Sequence, residues 1–386
     1  MTPPKRPTRP EGGILQAAVI GAGPAGIGVS LALRAMGLRH LAVLDQGRIG
    51  ESFRRWPQGM RFITPSFTGN QYGSLDLNSV HPSTSPAYLL KTEHPTGKEY
   101  AAYLEAVAAW GRLPVLTGYG LKSMEHKDGI FYLDTGKGVL KARNVVWAAG
   151  EFHWPRLPEI PGAELGRHNS LVKDWTALPG KRAVVIGGYE SGIDAAYHLA
   201  RSGKKVSVLD AAAPWTLDDS DPSVNLSPYS LDRLRVAQAG RQLHLIKAAA
   251  TVIRQRGKGF EVLAGGKAYP SDTPPILATG FRSSLQLVQD RFDWKRGMAQ
   301  VALADDQSTR TPGLYLAGPS LRHRLGSKTL IFCFIYKYRG RFPVVAASIG
   351  KRLGLPAKAI ARMNDFYREH KMYLADLSCC GDDCAC

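Results

Sequence analysis

Residues 14–46 read ILQAAVIGAGPAGIGVSLALRAMGLRHLAVLDQ, and the fold is decided here. Ile14 to Ile20 is a short apolar run of the kind that forms a strand buried on both faces. It feeds Gly21-Ala22-Gly23-Pro24-Ala25-Gly26, a GxGxxG turn, after which Ile27, Leu31, Ala35 and Met36 follow at helical spacing. Each glycine has its own task in such a turn. Gly21 makes the tight bend, Gly23 lets a pyrophosphate approach the backbone, and Gly26 lets helix and strand pack closely. The N-terminus of the helix adds unpaired N–H groups and a partial positive charge. A second strand, His40 to Leu44, ends in Asp45, where a carboxylate should meet ribose hydroxyls, with Gln46 beside it. Strand, turn, helix, strand and acid in register specify a dinucleotide site; a glycine-rich turn alone would not.

The pattern then repeats. Arg182 to Gly203 reads RAVVIGGYESGIDAAYHLARSG, and KKVSVLD, Lys204 to Asp210, again ends in an acid. Gly187, Gly188, Glu190, Ser191, Gly192 and Asp210 are the corresponding candidate contacts. Each unit also contains a β-meander pattern, Val115 to Val146 and Leu243 to Tyr269. Each closes on a small-residue strand: NVVWAAG, Asn144 to Gly150, and PPILATG, Pro274 to Gly280. Ala149 and Gly150 are small enough to pass beside a bound cofactor. TPGLYLAGPS, Thr311 to Ser320, reads as the resumption of the first unit and brings Gly318 to its site. The expected fold is therefore α/β, two Rossmann-like domains with parallel sheets and β-meanders, the second inserted in the first.

Composition sets outer limits. The chain has 386 residues, 44% hydrophobic and 21% charged, enough for two or three cores and ordinary for a globular enzyme. No apolar run approaches the ~18 residues of a membrane span. The first twelve residues lack the apolar core of a signal peptide, so residues 1–12 read as a disordered basic arm on a cytoplasmic protein. The net charge of +18 is spread over helices and loops and accompanies no nucleic-acid-binding module. It reads as a basic solvated surface that steers anionic cofactors.

The order GAGPAG, WAAGEFHWPRLPEIPG, VIGGYESG, ILATGFR, GLYLAG resembles the flavoproteins with two dinucleotide-binding domains. Over roughly Leu15 to Gly350 it is most similar to the flavin-containing monooxygenase-like proteins and to bacterial flavoproteins labelled as potassium-transport associated; thioredoxin reductases share the plan more distantly. The resemblance implies FAD on a domain of residues 13–160 and 283–355 and NAD(P)H on a domain of 161–282, with residues 356–386 a C-terminal helix and Cys-rich tail. It also implies an FAD-dependent NAD(P)H oxidoreductase. Ser52 and Phe53, in the loop after Asp45, are placed to line a flavin.

Several departures qualify this. The monooxygenase signature between the domains reads GAELGRHNSLVKDW here, so His168 matches but the Phe is missing and the glycine is shifted. An Asp commonly given to the flavin ribityl chain is replaced in Gly318-Pro319-Ser320, as also happens in the monooxygenase branch. Tyr189 takes the middle glycine position of the second turn and should crowd a pyrophosphate. Asp210 favours NADH over NADPH, since a carboxylate repels a 2′-phosphate; Arg201, Lys204 and Lys205 argue the other way.

Four of the five cysteines lie in the last eight residues, as LSCCGDDCAC. Cys333, in IFCFIYKYRGRF, reads as a buried small hydrophobe. The tail has two chemical readings. Vicinal Cys379 and Cys380 can accept electrons from the flavin as a disulfide and pass them to an external thiol; the ending is similar to the vicinal pair of mercuric reductases. Alternatively Cys379, Cys380, Cys384 and Cys386 offer thiolates to a soft ion such as Cu(I) or Zn(II). Neither dinucleotide unit holds a CxxC or CxxxxC pair. Oxygenation of a small molecule and dithiol reduction both stay open as the oxidative half-reaction. So does a non-catalytic flavoprotein that senses soft metals. A helix over Lys358 to Leu377, apolar at Ile360, Met363, Phe366 and Tyr367, carries the tail or makes a homodimer contact.

Overall fold

In the computed structural model, residues 13–68, 75–219 and 223–378 are described. The described residues form two compact units, one within 13–54, 65–151 and 283–378, the other within 55–64 and 152–282. In the first, β1 (Ala17–Ile20) runs through the turn into α1 (Pro24–Ala35) and returns as β2 (Leu41–Asp45). Helix α2 (Gly97–Trp110) starts three residues before the expected Tyr100, because Thr96 and Glu99 form a reciprocal capping box. Strand β3 (Val115–Thr117) follows, then an antiparallel meander of β4 (Ser123–Lys127), β5 (Ile130–Asp134) and β6 (Val139–Ala142), and β7 (Val145–Trp147). β1, β2 and β7 are apolar runs with almost no exposed surface, as parallel strands covered on both faces must be.

The second unit repeats this plan. β8 (Arg167–His168) leads to β9 (Arg182–Ile186), α3 (Glu190–Arg201) and β10 (Lys205–Asp210). Helix α4 (Pro228–Ala239) and β11 (Leu243–Lys247) follow, then the meander β12 (Ala250–Arg256), β13 (Gly259–Ala264), β14 (Lys267–Ser271), and β15 (Ile276–Leu277). The parallel sheet has the order β11-β10-β9-β15-β8. Successive residues of β9 face opposite cores. Ala183 and Val185 pack with Ile193 and Leu199 of α3 and Leu234 of α4. Val184 and Ile186 pack with Ile253, Val262 and Ala264 of the meander.

The chain then completes the first unit with β16 (Leu314–Leu316), giving the parallel order β16-β7-β1-β2-β3. An antiparallel hairpin, β17 (Arg322–Leu325) and β18 (Lys328–Ile331), precedes α5 (Phe342–Arg352) and α6 (Ala357–Glu369). α5 lies on α1, where Phe342 packs so closely that a Cβ on Gly28 would stand 2.0 Å from its ring. α6 stops at Glu369 rather than near Leu377, because Lys371 takes a left-handed conformation at φ 55°. Its Ile360, Met363 and Tyr367 are buried, with Ile360 against Gly350 of α5 and the Phe366 and Tyr367 rings beside His81. Cys333 is exposed, not buried. From the second hairpin strand onward the chain alternates, and Leu330 and Phe332 take the inward positions. Among the described residues no helix is long and apolar enough to cross a membrane.

Candidate functional site

The first glycine turn is held by contacts that only glycine permits. Gly21 has φ +108°, and a Cβ there would lie 2.4 Å from the Ala148 carbonyl oxygen at the end of β7. A Cβ on Gly26 would lie 1.8 Å from the Gly21 carbonyl oxygen. Gly23 differs: its φ of −84° suits any residue, and nothing stands within 4 Å of where its Cβ would be. That open space faces a helix N-terminus with no side-chain cap, Pro24 at its first turn and no acidic residue. The arrangement fits a pyrophosphate seated on the first-turn N–H groups. Ala25 is the neighbour of Gly318, whose own φ is +96° and whose Cβ would meet the Ala25 methyl at 2.9 Å. Ala149 and Gly150 lie alongside, with the Ala149 Cα near Gly21 and Gly150 at φ +64°.

Asp45 is pinned by its own backbone. Oδ2 accepts from the Ala22 N–H at 2.7 Å and Oδ1 from the Gly47 N–H at 2.7 Å. These bonds orient the carboxylate at the end of β2, beside the glycine turn. Gln46 backs onto Gly120. Ser52 and Phe53 sit in a short helix, Glu51–Arg54, tied to the turn by the Gly50 N–H donating to the Ala22 carbonyl; Phe53 packs edge-on against Tyr100. Sequence reasoning missed Glu151 and Arg322. Burial raises the Glu151 carboxyl above the usual range while Arg322 opposes the shift. An acid directly after the small-residue strand end was the available signal.

The second turn repeats the backbone closely. Gly187 has φ +102° with a Cβ position 2.3 Å from the Ala278 carbonyl oxygen, and a Cβ on Gly192 would lie 1.9 Å from that of Gly187. Asp210 accepts from the Gly188 N–H at 2.7 Å and the Ala212 N–H at 2.8 Å. Two side chains break the parallel. Tyr189 stands at the helix cap in the place of Gly23, with its side chain partly exposed. Glu190 turns away from the turn and accepts hydrogen bonds from the Ser227 N–H, the Ser227 hydroxyl at 3.1 Å and the Ser230 hydroxyl at the start of α4. Its burial raises the carboxyl pKa, and those hydroxyl and amide donors oppose the rise. The residue therefore ties α3 to α4 through its side chain; Ser191 follows it, half-buried in the first turn.

Trp215 was not legible in the sequence. Its ring lies against Gly188, where a Cβ would approach it to 2.5 Å and would meet the Asp210 Cβ at 3.1 Å. The left-handed Ala213, at φ 52°, turns the chain to bring it there. This unit fits a nucleotide ribose at Asp210, with an aromatic wall beside it and a narrower phosphate space. The three basic residues weighed for NADPH lie elsewhere. Arg201 ends α3, Lys204 donates to the Gly180 carbonyl at 2.6 Å, and Lys205 begins β10. His168 is a structural residue: buried, it accepts from the Ser170 N–H at Nδ1 and so donates from Nε2 to the Gly280 carbonyl at 2.9 Å. Burial lowers its pKa. Cys379, Cys380, Cys384 and Cys386 lie outside the described residues.

The family model described as pyridine nucleotide-disulphide oxidoreductase matches residues 18–318. A bacilliredoxin reductase, Bdr, of Bacillus subtilis (strain 168) is 24% identical over 217 residues, 54% of this chain and 63% of that relative's length. The solved bacillithiol disulfide reductase Bdr (YpdA) of Staphylococcus aureus has the same fold at TM-score 0.71 and 18% identity, over 88% of this chain and 98% of that one. A flavin-containing monooxygenase from Stenotrophomonas maltophilia has it at TM-score 0.65 and 19% identity, over 87% of this chain and 98% of that one. The chain belongs to the pyridine nucleotide-disulphide oxidoreductase family and is an FAD- and NAD(P)H-dependent oxidoreductase.

Proposed function

We propose that this oxidoreductase is an NADH-dependent disulfide reductase, with FAD on the first glycine turn, NADH on the second, and Cys379 and Cys380 as the exit for electrons. The reading rests on one observation above others: two glycine turns with matching cap angles, each with an aspartate pinned to its second residue. The bound cofactors supply hydride donation and two-electron storage. The chain's own residues seat the phosphates, orient the riboses through Asp45 and Asp210, and discriminate against a 2′-phosphate at Asp210. The balance is NADH + H⁺ + RSSR → NAD⁺ + 2 RSH, with the Cys379–Cys380 pair cycling between disulfide and dithiol. A small thiol or protein disulfide is the substrate class, and a reducing cytoplasm is the setting such a tail requires.

Dithiol transfer is favoured over oxygenation because the matching His168 of the monooxygenase signature is occupied in holding Gly280 and Ser170. Oxygenation of a small molecule is the second reading, supported by Gly318-Pro319-Ser320, which lacks the acid. An anaerobic NADH titration, with and without residues 378–386, separates the two. The full chain should take up about one NADH more per flavin than the truncated one. Equal uptake, followed by oxygen-dependent product formation, would replace the disulfide reading with the oxygenase one. Stoichiometric Cu(I) or Zn(II) capture without NADH turnover would instead favour a metal-binding role for the four tail cysteines. Sedimentation of the same preparations tests for a homodimer.

A further inference from the structure

Beyond β15 the chain continues as Ala278-Thr279-Gly280, and residues 154–156 lie antiparallel along that end. Pro155 bridges Phe281, the Arg282 N–H donates to the Trp154 carbonyl at 2.7 Å, and the Arg156 N–H donates to the Gly280 carbonyl at 2.9 Å. The Arg156 side chain is tied to the same place. Its Nε donates to the Thr279 carbonyl at 2.9 Å, and the Thr279 hydroxyl donates back to the Arg156 carbonyl. The two terminal nitrogens of this exposed guanidinium make no hydrogen bond or ion pair among the described residues. We infer that Arg156 binds the dinucleotide of the second unit, through the phosphate of its nicotinamide half. The inference rests on the reading of the second glycine turn as the NADH site.

Topology orients the ligand. The three strands concerned are neighbours in the order β10-β9-β15, and ligands of such sheets lie beyond the carboxyl ends of the strands. Asp210 ends β10, where the adenosine ribose belongs, and the glycine turn after β9 takes the pyrophosphate. The nicotinamide half then runs out over the end of β15. That end is open: a Cβ on Gly280, at φ +77°, would meet nothing within 4 Å except the Arg156 NH2 group at 3.7 Å. The Gly280 carbonyl is fixed by two donors, the Arg156 N–H and His168 Nε2, both at 2.9 Å. Gly280 follows by two residues Ala278, whose carbonyl packs on Gly187, so at ~3.3 Å per residue the opening begins about 7 Å from the turn. Charge supplies the second argument. α1 has no acid in its first turn, whereas α3 begins with Glu190 and carries Tyr189 at its cap. The helix end alone is therefore a poorer seat for phosphate in this unit, and a cation on the opposite side offsets that. A guanidinium held by its Nε presents its remaining N–H groups as a fixed fork, the shape that suits a phosphate.

The test is calorimetric titration of the FAD-loaded, full-length protein with NAD⁺, ADP-ribose and AMP, for wild type, Arg156→Gln and Arg156→Lys. AMP carries only the phosphate of the adenosine half; the other two carry both. Arg156→Gln should weaken NAD⁺ and ADP-ribose by about tenfold and leave AMP within about twofold of wild type. Arg156→Lys keeps the charge and loses the fork, so it should fall between wild type and Arg156→Gln. Wild-type affinity for NAD⁺ and ADP-ribose in Arg156→Gln overturns the inference. So does an equal loss of all three probes in both variants with a lowered melting temperature, which would make Arg156 a brace for Thr279 and Gly280. If wild type binds none of the probes, the nucleotide reading of the second turn fails and the inference falls with it. The two failures are thus separated by whether wild type binds.

Discussion

The two glycine turns share a backbone and differ in what fills it. Gly23 and Tyr189 cap their helices with φ, ψ of −84°, −172° and −79°, −169°. The turn itself therefore does not require glycine at this position; on the proposed reading, an incoming phosphate does. By contrast, Gly21, Gly26, Gly187 and Gly192 are demanded by the protein, since backbone atoms occupy the space of their missing side chains. Fold and ligand place separate claims on the same motif, and the second unit has kept the first claim while altering the second.

Breaking the claim made by the fold gives the largest effect. Gly26→Ala and Gly192→Ala each force a methyl into a carbonyl oxygen, which should cost about 3 kcal/mol or more. Thermal unfolding and flavin content would report it, Gly26→Ala losing most of its flavin and Gly192→Ala retaining it. Retained flavin and unchanged melting in Gly26→Ala would mean that the turn relaxes. The next effect comes from exchanging the variable position. Gly23→Tyr should leave the fold intact and weaken FAD by about 100-fold, close to 2.7 kcal/mol. Its mirror, Tyr189→Gly, should lower the NADH KM by about tenfold at unchanged kcat. A raised KM would show that Tyr189 stacks on the cofactor and does not crowd it.

Smaller still is Asp210→Asn, which keeps an acceptor for the Gly188 N–H and should raise the NADH KM by about fivefold, roughly 1 kcal/mol, while narrowing the gap to NADPH. Steady-state comparison of the two nucleotides measures it. Acid stability separates the two units by pH range. Burial, with His370 adding to it, lowers the His81 pKa to about 4 in the first unit. Between pH 6.5 and about 4 the unfolded chain takes up a proton that the folded unit refuses, so stability falls as pH drops through that window. In the second unit Arg182 holds Asp272 down to about 2, and this contribution persists until pH falls below 3.8 toward 2. One proton sets a slope of at most about 1.4 kcal/mol per pH unit. His81→Gln should flatten the slope above pH 4 and leave the lower one, as followed by acid titration of unfolding.

Much of this was legible because it is local in the chain. Apolar runs ending in glycine turns, helical spacing after them and an acid at the end of the next strand are written within about 35 contiguous residues, twice. From these the sequence determined two repeated glycine turns, the glycines whose Cβ positions are occupied, the two aspartates that accept from those turns and the place of Tyr189 at the second helix cap. Other features depend on partners distant in sequence. Glu190 stands in the first turn of its helix, among the candidate nucleotide contacts, yet Ser227 and Ser230 draw it to the start of α4. Trp215 reaches Gly188 only because Ala213 turns left-handed. Cys333 is exposed because Leu330 and Phe332 took the inward places. The cleft lined by Gly59, Arg61, Thr176, Tyr197 and Arg233 draws on four separate parts of the chain. Periodicity and turn chemistry are properties of neighbouring residues, which the sequence specifies directly. Side-chain partners, burial and cavities arise when distant segments meet, and only the tertiary structure decided those.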